Sequence, residues 1–303
     1  MLQGVVTTQG TVNLPGAQVV VTDRADTQVA QILSGEDGHF NVIGLAPGRQ
    51  RYGLFTNENG GILDDLMFAN RGDHFYIVVN AACKAQDIAH LRKHLEKDCE
   101  IEEWTGRALL ALQGPKSEAA LAKFAPSVAA MAFMDVAEVQ ILGVSCIVSR
   151  SGYSGEDGYE ISIPESKAVE FSEALLDNSD VHVIGLGARD SLRLEAGLCL
   201  YGNDIDDFTT PLEAGLGWIT KFTKAFTASE YLQKQKAAGV EKKLVGFELI
   251  DRGIPRHDYK IRDVEGNLIG KVTSGTQSPT LNKGIGMGYV LTSFASIGSE
   301  IYI

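Results

Sequence analysis

Two adjacent carboxylates, Asp64 and Asp65, stand in the run Gly60-Gly61-Ile62-Leu63-Asp64-Asp65-Leu66. In a strand, neighbouring side chains point to opposite faces, so one of the two can face solvent while the other faces the interior. An interior carboxylate is costly unless it has a partner. The pair therefore reads either as a surface pair beside a turn or as one acid facing a pocket, where it takes hydrogen bonds from a nitrogen heterocycle. A second segment, Ser149-Arg150-Ser151-Gly152-Tyr153-Ser154-Gly155-Glu156-Asp157-Gly158-Tyr159-Glu160, carries glycines at three of seven positions. Glycine reaches backbone conformations closed to other residues, so this loop makes either a plain hairpin turn or a shaped one that brings Tyr153 and Glu160 to a ligand. In Gly185-Leu186-Gly187-Ala188-Arg189-Asp190-Ser191-Leu192-Arg193-Leu194-Glu195, Arg189 and Arg193 lie one turn apart on a helix face. They suit a pair of salt bridges or a clamp on a carboxylate, a task for the flat guanidinium fork. Tyr201-Gly202-Asn203-Asp204 and Thr209 through Trp218 set aromatic residues beside acids, which makes a slot for a flat ring or ordinary core. Thr273 through Leu281 is a polar loop without a charge, able to order a partner or to close a hairpin.

Other chemistries find no support. There is no GxxxxGK[ST] and no GxGxxG opening a βαβ unit, so the glycines before Arg189 are not a phosphate cradle. None of the six histidines sits in a motif-like context, and no Ser/His/Asp or Cys/His arrangement is suggested, which speaks against metal and covalent catalysis. The four cysteines, Cys83, Cys99, Cys146 and Cys199, are nowhere closer than 16 residues, which excludes zinc-type CxxC spacing. They read as reduced, mostly buried thiols of a cytoplasmic protein. The net charge of −12 argues against nucleic acid, because phosphate binding needs basic surface. Met1 to Gly10 lacks the basic and apolar regions of a signal peptide, and no apolar run approaches the roughly 20 residues that span a membrane.

The elements that must position these residues change character along the 303 residues. Residues 1–48 are rich in Val, Thr and Gly and read as β-hairpins. From Arg51 the pattern alternates α and β. Strands are expected at Tyr52–Thr56, Ile62–Ala69, His74–Asn80, Ala108–Gln113, Val139–Arg150 and Tyr159–Ile163. Helices are expected at Asp87–Leu95, from Gly114-Pro115 through Phe124, at Lys167–Leu176 and at Ala188–Ala196, the last stopped by Gly197. After about residue 240 only short strands and turns remain, as in a small barrel or sandwich.

Taken in order, these segments resemble one family. Asn57 through Leu66, Val78-Val79-Asn80-Ala81-Ala82, Leu112-Gln113-Gly114-Pro115, Gly152 through Glu160, Gly185 through Gly202, Thr210-Pro211-Leu212-Glu213-Ala214-Gly215-Leu216 and Thr273 through Leu281 are similar to the T-protein of the glycine cleavage system. The resemblance implies an α+β fold: a multi-domain folate-binding cloverleaf of the aminomethyltransferase type with a C-terminal β-barrel domain. It places the folate-binding region of two α+β subdomains at 49–240 and the barrel domain at 241–303, and leaves 1–48 as a β-rich segment of uncertain type. It implies transfer of an aminomethyl group from the lipoyl arm of H-protein to tetrahydrofolate, with release of ammonia, and no metal. Carried over by position, Asp65 is the catalytic acid, Glu160 the pterin-binding carboxylate and Arg189 the folate-binding arginine, while Asn80, Tyr153 and Tyr201 line the same pocket.

The chain also departs from the family. Residues 1–48 lack the expected Phe-Asp-Val-Ser-His-Met segment; instead Gly10 to Gly48, with Gly-Ala-Gln-Val-Val-Val-Thr and Glu-Asp-Gly-His-Phe through Gly-Leu-Ala-Pro-Gly, faintly resembles a β-sandwich module of the carboxypeptidase regulatory type. The chain stops at Ile303, before the family's last barrel segment and its C-terminal Arg, so the barrel domain is expected to be truncated. Phe226-Thr227-Ala228 stands where members often have Phe-Ile-Gly or Phe-Val-Gly. Two other readings share the scaffold. One is a folate-dependent demethylase or the folate domain of a dimethylglycine or sarcosine oxidising enzyme, which the absence of a flavin fingerprint disfavours. The other is a non-catalytic folate-binding protein of the kind tied to iron–sulfur assembly, whose Lys-Gly-Cys-Tyr-x-Gly-Gln-Glu signature is replaced here by Leu198-Cys199-Leu200-Tyr201-Gly202-Asn203-Asp204.

Overall fold

A computed structural model of the chain describes residues 45–303, together with the backbone of short strands within 2–42. Of those strands, Leu2–Val5 pairs antiparallel with His39–Val42, and Gln18–Thr22 with Gln28–Leu33. The likeness of residues 10–48 to a β-sandwich module falls almost wholly outside the described residues. The chain divides into two compact units, Met1–Arg51 with Ala69–Tyr76 and Tyr52–Phe68 with Ile77–Ile303. In the first, the amide of Gly48 and the side chain of Asn70 close a turn, Gly48 N–H donating to the Asn70 carbonyl at 2.8 Å and Asn70 Nδ2 to the Leu45 carbonyl at 2.6 Å.

The strands Arg49–Thr56, Ile62–Asn70 and Phe75–Val78 form a three-stranded sheet with Ile62–Asn70 in the middle. Helix α1, Lys84–Leu95, follows it and starts a turn earlier than the apolar spacing predicts. A second sheet orders Arg107–Gln113, Gly158–Pro164, Val144–Ser149 and Val136–Ile141, each antiparallel to its neighbour. Its apolar face carries the largest core, with Leu121, Val128, Ile141, Val148, Tyr159, Ile161, Ile163 and Phe171 all fully buried. The run read as one strand over Val139–Arg150 is a hairpin. Leu142 and Gly143 both take positive φ, +50° and +75°, the pattern of a two-residue type I′ turn whose twist matches that of its strands.

The helix expected from Gly114-Pro115 through Phe124 is shorter: α2 spans Ser117–Leu121 and a 3₁₀ turn follows at Pro126–Ala130. Pro126 explains the break, since the residue before a proline is driven out of the helical region, and Ala125 sits at φ −142°, ψ 86°. Helices α3, Glu165–Leu176, and α4, Leu186–Glu195, fall where expected. Helix α5, Ser229–Ala238, is absent from the sequence reading although Gly239, with φ +85°, is an ordinary helix stop. Ala228 before it holds φ +63°, a conformation glycine adopts without steric cost.

The C-terminal sheet orders Lys242–Glu248, Lys283–Leu291, Leu268–Ser278 and Lys260–Arg262, all antiparallel. Thr273–Ser278 is strand rather than the expected loop, and Tyr302 forms a single bridge to Arg262. The long strand carries a bulge between Val272 and Ser274, and a bulge lets successive residues face the same way. Thr273 and Ser274 are accordingly both buried, and both hydroxyls donate to Asp204.

Candidate active site

The middle strand Ile62–Asn70 is entered through a turn that only glycine permits. Gly60 has φ +82°, and a Cβ on Gly61 would come within 1.8 Å of the Asp207 carbonyl. That close approach lets the Ile62 amide reach the carbonyls of Asp206 and Thr209 and fixes where Asp64 and Asp65 emerge. Neither faces open solvent. Asp64 is fully buried and Asp65 half-buried. One residue reaches both: Asn80 Nδ2 donates to Asp64 Oδ1 and to Asp65 Oδ1, each at 2.8 Å, and the Asn80 amide donates to Asp64 Oδ2 at 3.0 Å. The other Asp65 oxygen accepts the hydroxyl of Tyr52 at 2.9 Å.

Asp65 is therefore a carboxylate with two fixed donors and lone pairs to spare, since an ionised carboxylate has about four acceptor sites. Burial raises its pKa above the ordinary carboxylate range, and the neighbouring Asp64 adds to this, while the hydrogen bonds from Tyr52 and Asn80 oppose it. Burial, then the facing Asp65 charge, pushes the Tyr52 phenol up, so it remains a donor throughout the physiological range. Tyr52 stacks at 6.3 Å on Trp218, an exposed ring. Removing this phenol should act on Asp65 directly. In Tyr52→Phe the acid limb of any rate that needs ionised Asp65 should move upward by about one pH unit, the worth of one charge-assisted hydrogen bond. A profile identical to wild type would show that the two groups are not coupled.

Tyr153 joins from the glycine-containing loop. Its hydroxyl donates to the Cys199 carbonyl, and the Arg189 guanidinium lies 4.5 Å over its ring. Burial raises the Tyr153 pKa, and Asp65 is among the charges that reach it. The loop's glycines serve two ends. Gly155 alone takes positive φ, at +78°. Gly152 and Gly158 make room for Gln113, whose Oε1 would lie 1.8 Å from a Cβ at 152. Gln113 Nε2 donates to the Ser151 carbonyl at 3.1 Å, and its Oε1 accepts Ser154 Oγ at 2.8 Å, which pins the loop. Arg150 closes the same loop on Asp157 through 2.6 Å and 2.9 Å contacts. Glu160 stands at the loop's end, half-buried, with Ser151 Oγ donating to its Oε2 at 2.8 Å.

The structure thus ties Asp65, Asn80 and Tyr52 directly, and separately joins Tyr153 to Cys199 and to Arg189, with the Asp65 charge reaching Tyr153. Tyr201 donates to the Ile62 carbonyl at 3.3 Å, and burial raises its phenol to about 12, with Cys83 and Asp64 among the groups it feels. The two arginines of α4 separate. Arg189 is exposed over Tyr153, whereas Arg193 is buried and paired with Asp204 at 2.6 Å and Asp190 at 2.8 Å. The two do not form a paired clamp. Tyr52 is the site residue the sequence reading missed. It lies in an unremarkable strand, and only the pairing of that strand with Ile62–Asn70 sets it against Asp65.

The GCVT N-terminal domain matches residues 39–224 and the glycine cleavage T-protein C-terminal barrel domain matches 242–303. A probable mitochondrial aminomethyltransferase of Schizosaccharomyces pombe is 44% identical over 268 residues, covering 86% of this chain and 69% of its own. An aminomethyltransferase of Bacteroides fragilis is 45% identical over 272 residues, covering 87% and 75%. The crystal structure of glycine cleavage system aminomethyltransferase T from Bartonella henselae superposes with a TM-score of 0.80 at 39% identity, covering 85% of this chain and 72% of that one. Fold and relatives together define an α+β transferase with a C-terminal barrel-type domain. The chain belongs to the glycine cleavage T-protein, or aminomethyltransferase, family.

Proposed function

We propose that this chain takes the aminomethyl group carried on the lipoyl arm of H-protein, releases its nitrogen as ammonia and delivers the carbon to tetrahydrofolate as 5,10-methylenetetrahydrofolate. The observation that carries the reading is Asp65, a carboxylate with a raised pKa held between Tyr52 and Asn80 with acceptor capacity left over. Attack of the folate N5 on an iminium-like carbon develops positive charge, and a fixed anion in a partly desolvated site offsets it without reorganising. Positioning, rather than proton transfer, is the main contribution of this residue.

The donor set fits tetrahydrofolate as the second substrate. A pterin presents N–H donors along one edge, and Glu160 keeps Oε1 for them while Ser151 holds Oε2. The glutamyl tail is anionic and suits Arg189, which is exposed and orientated by the Tyr153 ring. Tyr52, Tyr153 and Trp218 supply flat surfaces for a ring. Asn80 keeps Asp65 aimed, and Tyr201 supports the strand behind it through the Ile62 carbonyl. The four free cysteines suit a reducing compartment such as the cytoplasm.

Calorimetric titration with tetrahydrofolate tests the binding half of this reading. Wild type should bind, and Arg189→Ala should bind about tenfold more weakly, the worth of one charge-assisted contact. Equal affinities would remove Arg189 from the site, and no binding by wild type would remove folate.

A further inference from the structure

Behind the Asp65 site lies an acid that the proposed transfer does not use. Asp87 sits in the first turn of α1, 1% exposed, and both its carboxyl oxygens are buried without a conventional hydrogen-bond partner. The group that faces it is the carboxyl of Asp64, itself fully buried. Two carboxylates only accept, so they can face one another in a dry site only when a proton lies between them. Both Asp64 oxygens already accept from Asn80. The proton therefore belongs to Asp87, whose hydroxyl then donates to Asp64. The other titratable group at this spot is the Cys83 thiol, raised to about 12 by burial first and by Asp64, with Asp87 and Asp65 contributing, so it stays neutral and leaves the proton where it is. Tyr201 and Asp65 are the next ionisable neighbours of Asp64 and Cys83.

We propose that Asp87 is a positioning residue for aminomethyl transfer: as a neutral acid it donates to Asp64, which holds Asn80, which in turn aims Asp65. The inference rests on the transferase reading, but its chain of contacts is fixed in the protein without substrate. Burial, then Asp64, raises the Asp87 pKa to about 8. Above that value Asp87 ionises and loses its donor. Two anions then face each other, and the Asn80 bridge between Asp64 and Asp65 is disturbed.

The test compares Asp87→Asn, whose amide can still donate to Asp64 but cannot ionise, with Asp87→Ala, which cannot donate. In wild type kcat should fall on the alkaline side near pH 8, and Asp87→Asn should keep its neutral-pH turnover while losing that limb. Asp87→Ala should lose about 100-fold in kcat with tetrahydrofolate affinity unchanged, as for other misplacements of a reacting group. A wild-type alkaline limb in Asp87→Asn, or wild-type turnover in Asp87→Ala, overturns the proposal. A second readout needs no substrate. A carboxyl whose folded pKa is raised loses stability as pH climbs from its unfolded value of about 4 through its folded one. The unfolding midpoint of Asp87→Asn relative to wild type should therefore rise between pH 4 and 8 and level off above. A flat difference overturns the protonated Asp87, whereas an inactive wild type that keeps the rise would fault the transferase reading instead.

Discussion

Asp65→Ala should lower the transfer rate by about 10²–10³-fold, the usual cost of removing a group that stabilises developing charge, while the unfolding midpoint stays close to wild type. The reason for the second half is specific. Asp65 is half-buried and costs desolvation energy in the folded state, so its loss removes an unfavourable term along with two hydrogen bonds. Asn80 remains anchored by Asp64. The first half also has a pH signature. Because burial raises the pKa of Asp65, the rate in wild type should fall with acid at a higher pH than an ordinary carboxylate would give, and Asp65→Asn should remove that dependence along with most of the rate. Undiminished turnover of either variant would take the central role from Asp65.

Arg193→Met should be the most damaging single change to stability. Its guanidinium donates to Asp204 at 2.6 Å, to Ser274 Oγ at 2.7 Å, to the Leu198 carbonyl at 3.0 Å and to Asp190 at 2.8 Å. Asp190 is half-exposed and worth little. Asp204 is not, since its side chain has no exposure at all, and without Arg193 it is a buried charge with hydroxyl and amide donors only. Breaking such a pair by removing one member costs about 3–5 kcal/mol. The break falls where α4 meets the bulged strand Leu268–Ser278, a junction also held by Glu195, which accepts from Ser278 and from Thr280. Denaturant unfolding should show the loss as a lower midpoint at unchanged slope. Replacing both Arg193 and Asp204 by apolar residues should cost much less than the single change. Equal losses would mean that packing rather than charge pairing holds the junction.

How much of this was legible in the chain differs from residue to residue. The order of motifs assigned Asp65, Asn80, Tyr153, Glu160, Arg189 and Tyr201 to one family's pocket; the structure bonds Asn80 to Asp65 and sets Arg189 over Tyr153. The sequence located α1 from Ile88, Leu91 and Leu95 at helical spacing and α4 from its stop at Gly197. Local periodicity failed at Leu142-Gly143, where one glycine inside a run of β-branched residues hides a reversal, and at α5, whose polar sequence buries only Leu232 and carries almost no amphipathic signal. Nor could spacing assign roles to equivalent residues. Arg189 and Arg193 are alike in sequence, but only Arg193 meets the buried Asp204 and the Ser274 hydroxyl that the bulged strand turns inward. Asp64 and Asp65 are likewise adjacent and identical. What separates them is Cys83 and the first turn of α1, whose Asp87 faces Asp64.

The most direct test supplies the purified chain with aminomethylated H-protein and tetrahydrofolate and follows ammonia and 5,10-methylenetetrahydrofolate in a single turnover. Equal amounts of the two products, formed only when folate is present and nearly abolished in Asp65→Ala, are the predicted result. Folate binding with no ammonia above the Asp65→Ala level would contradict it and leave a protein that keeps the family's pocket without its reaction.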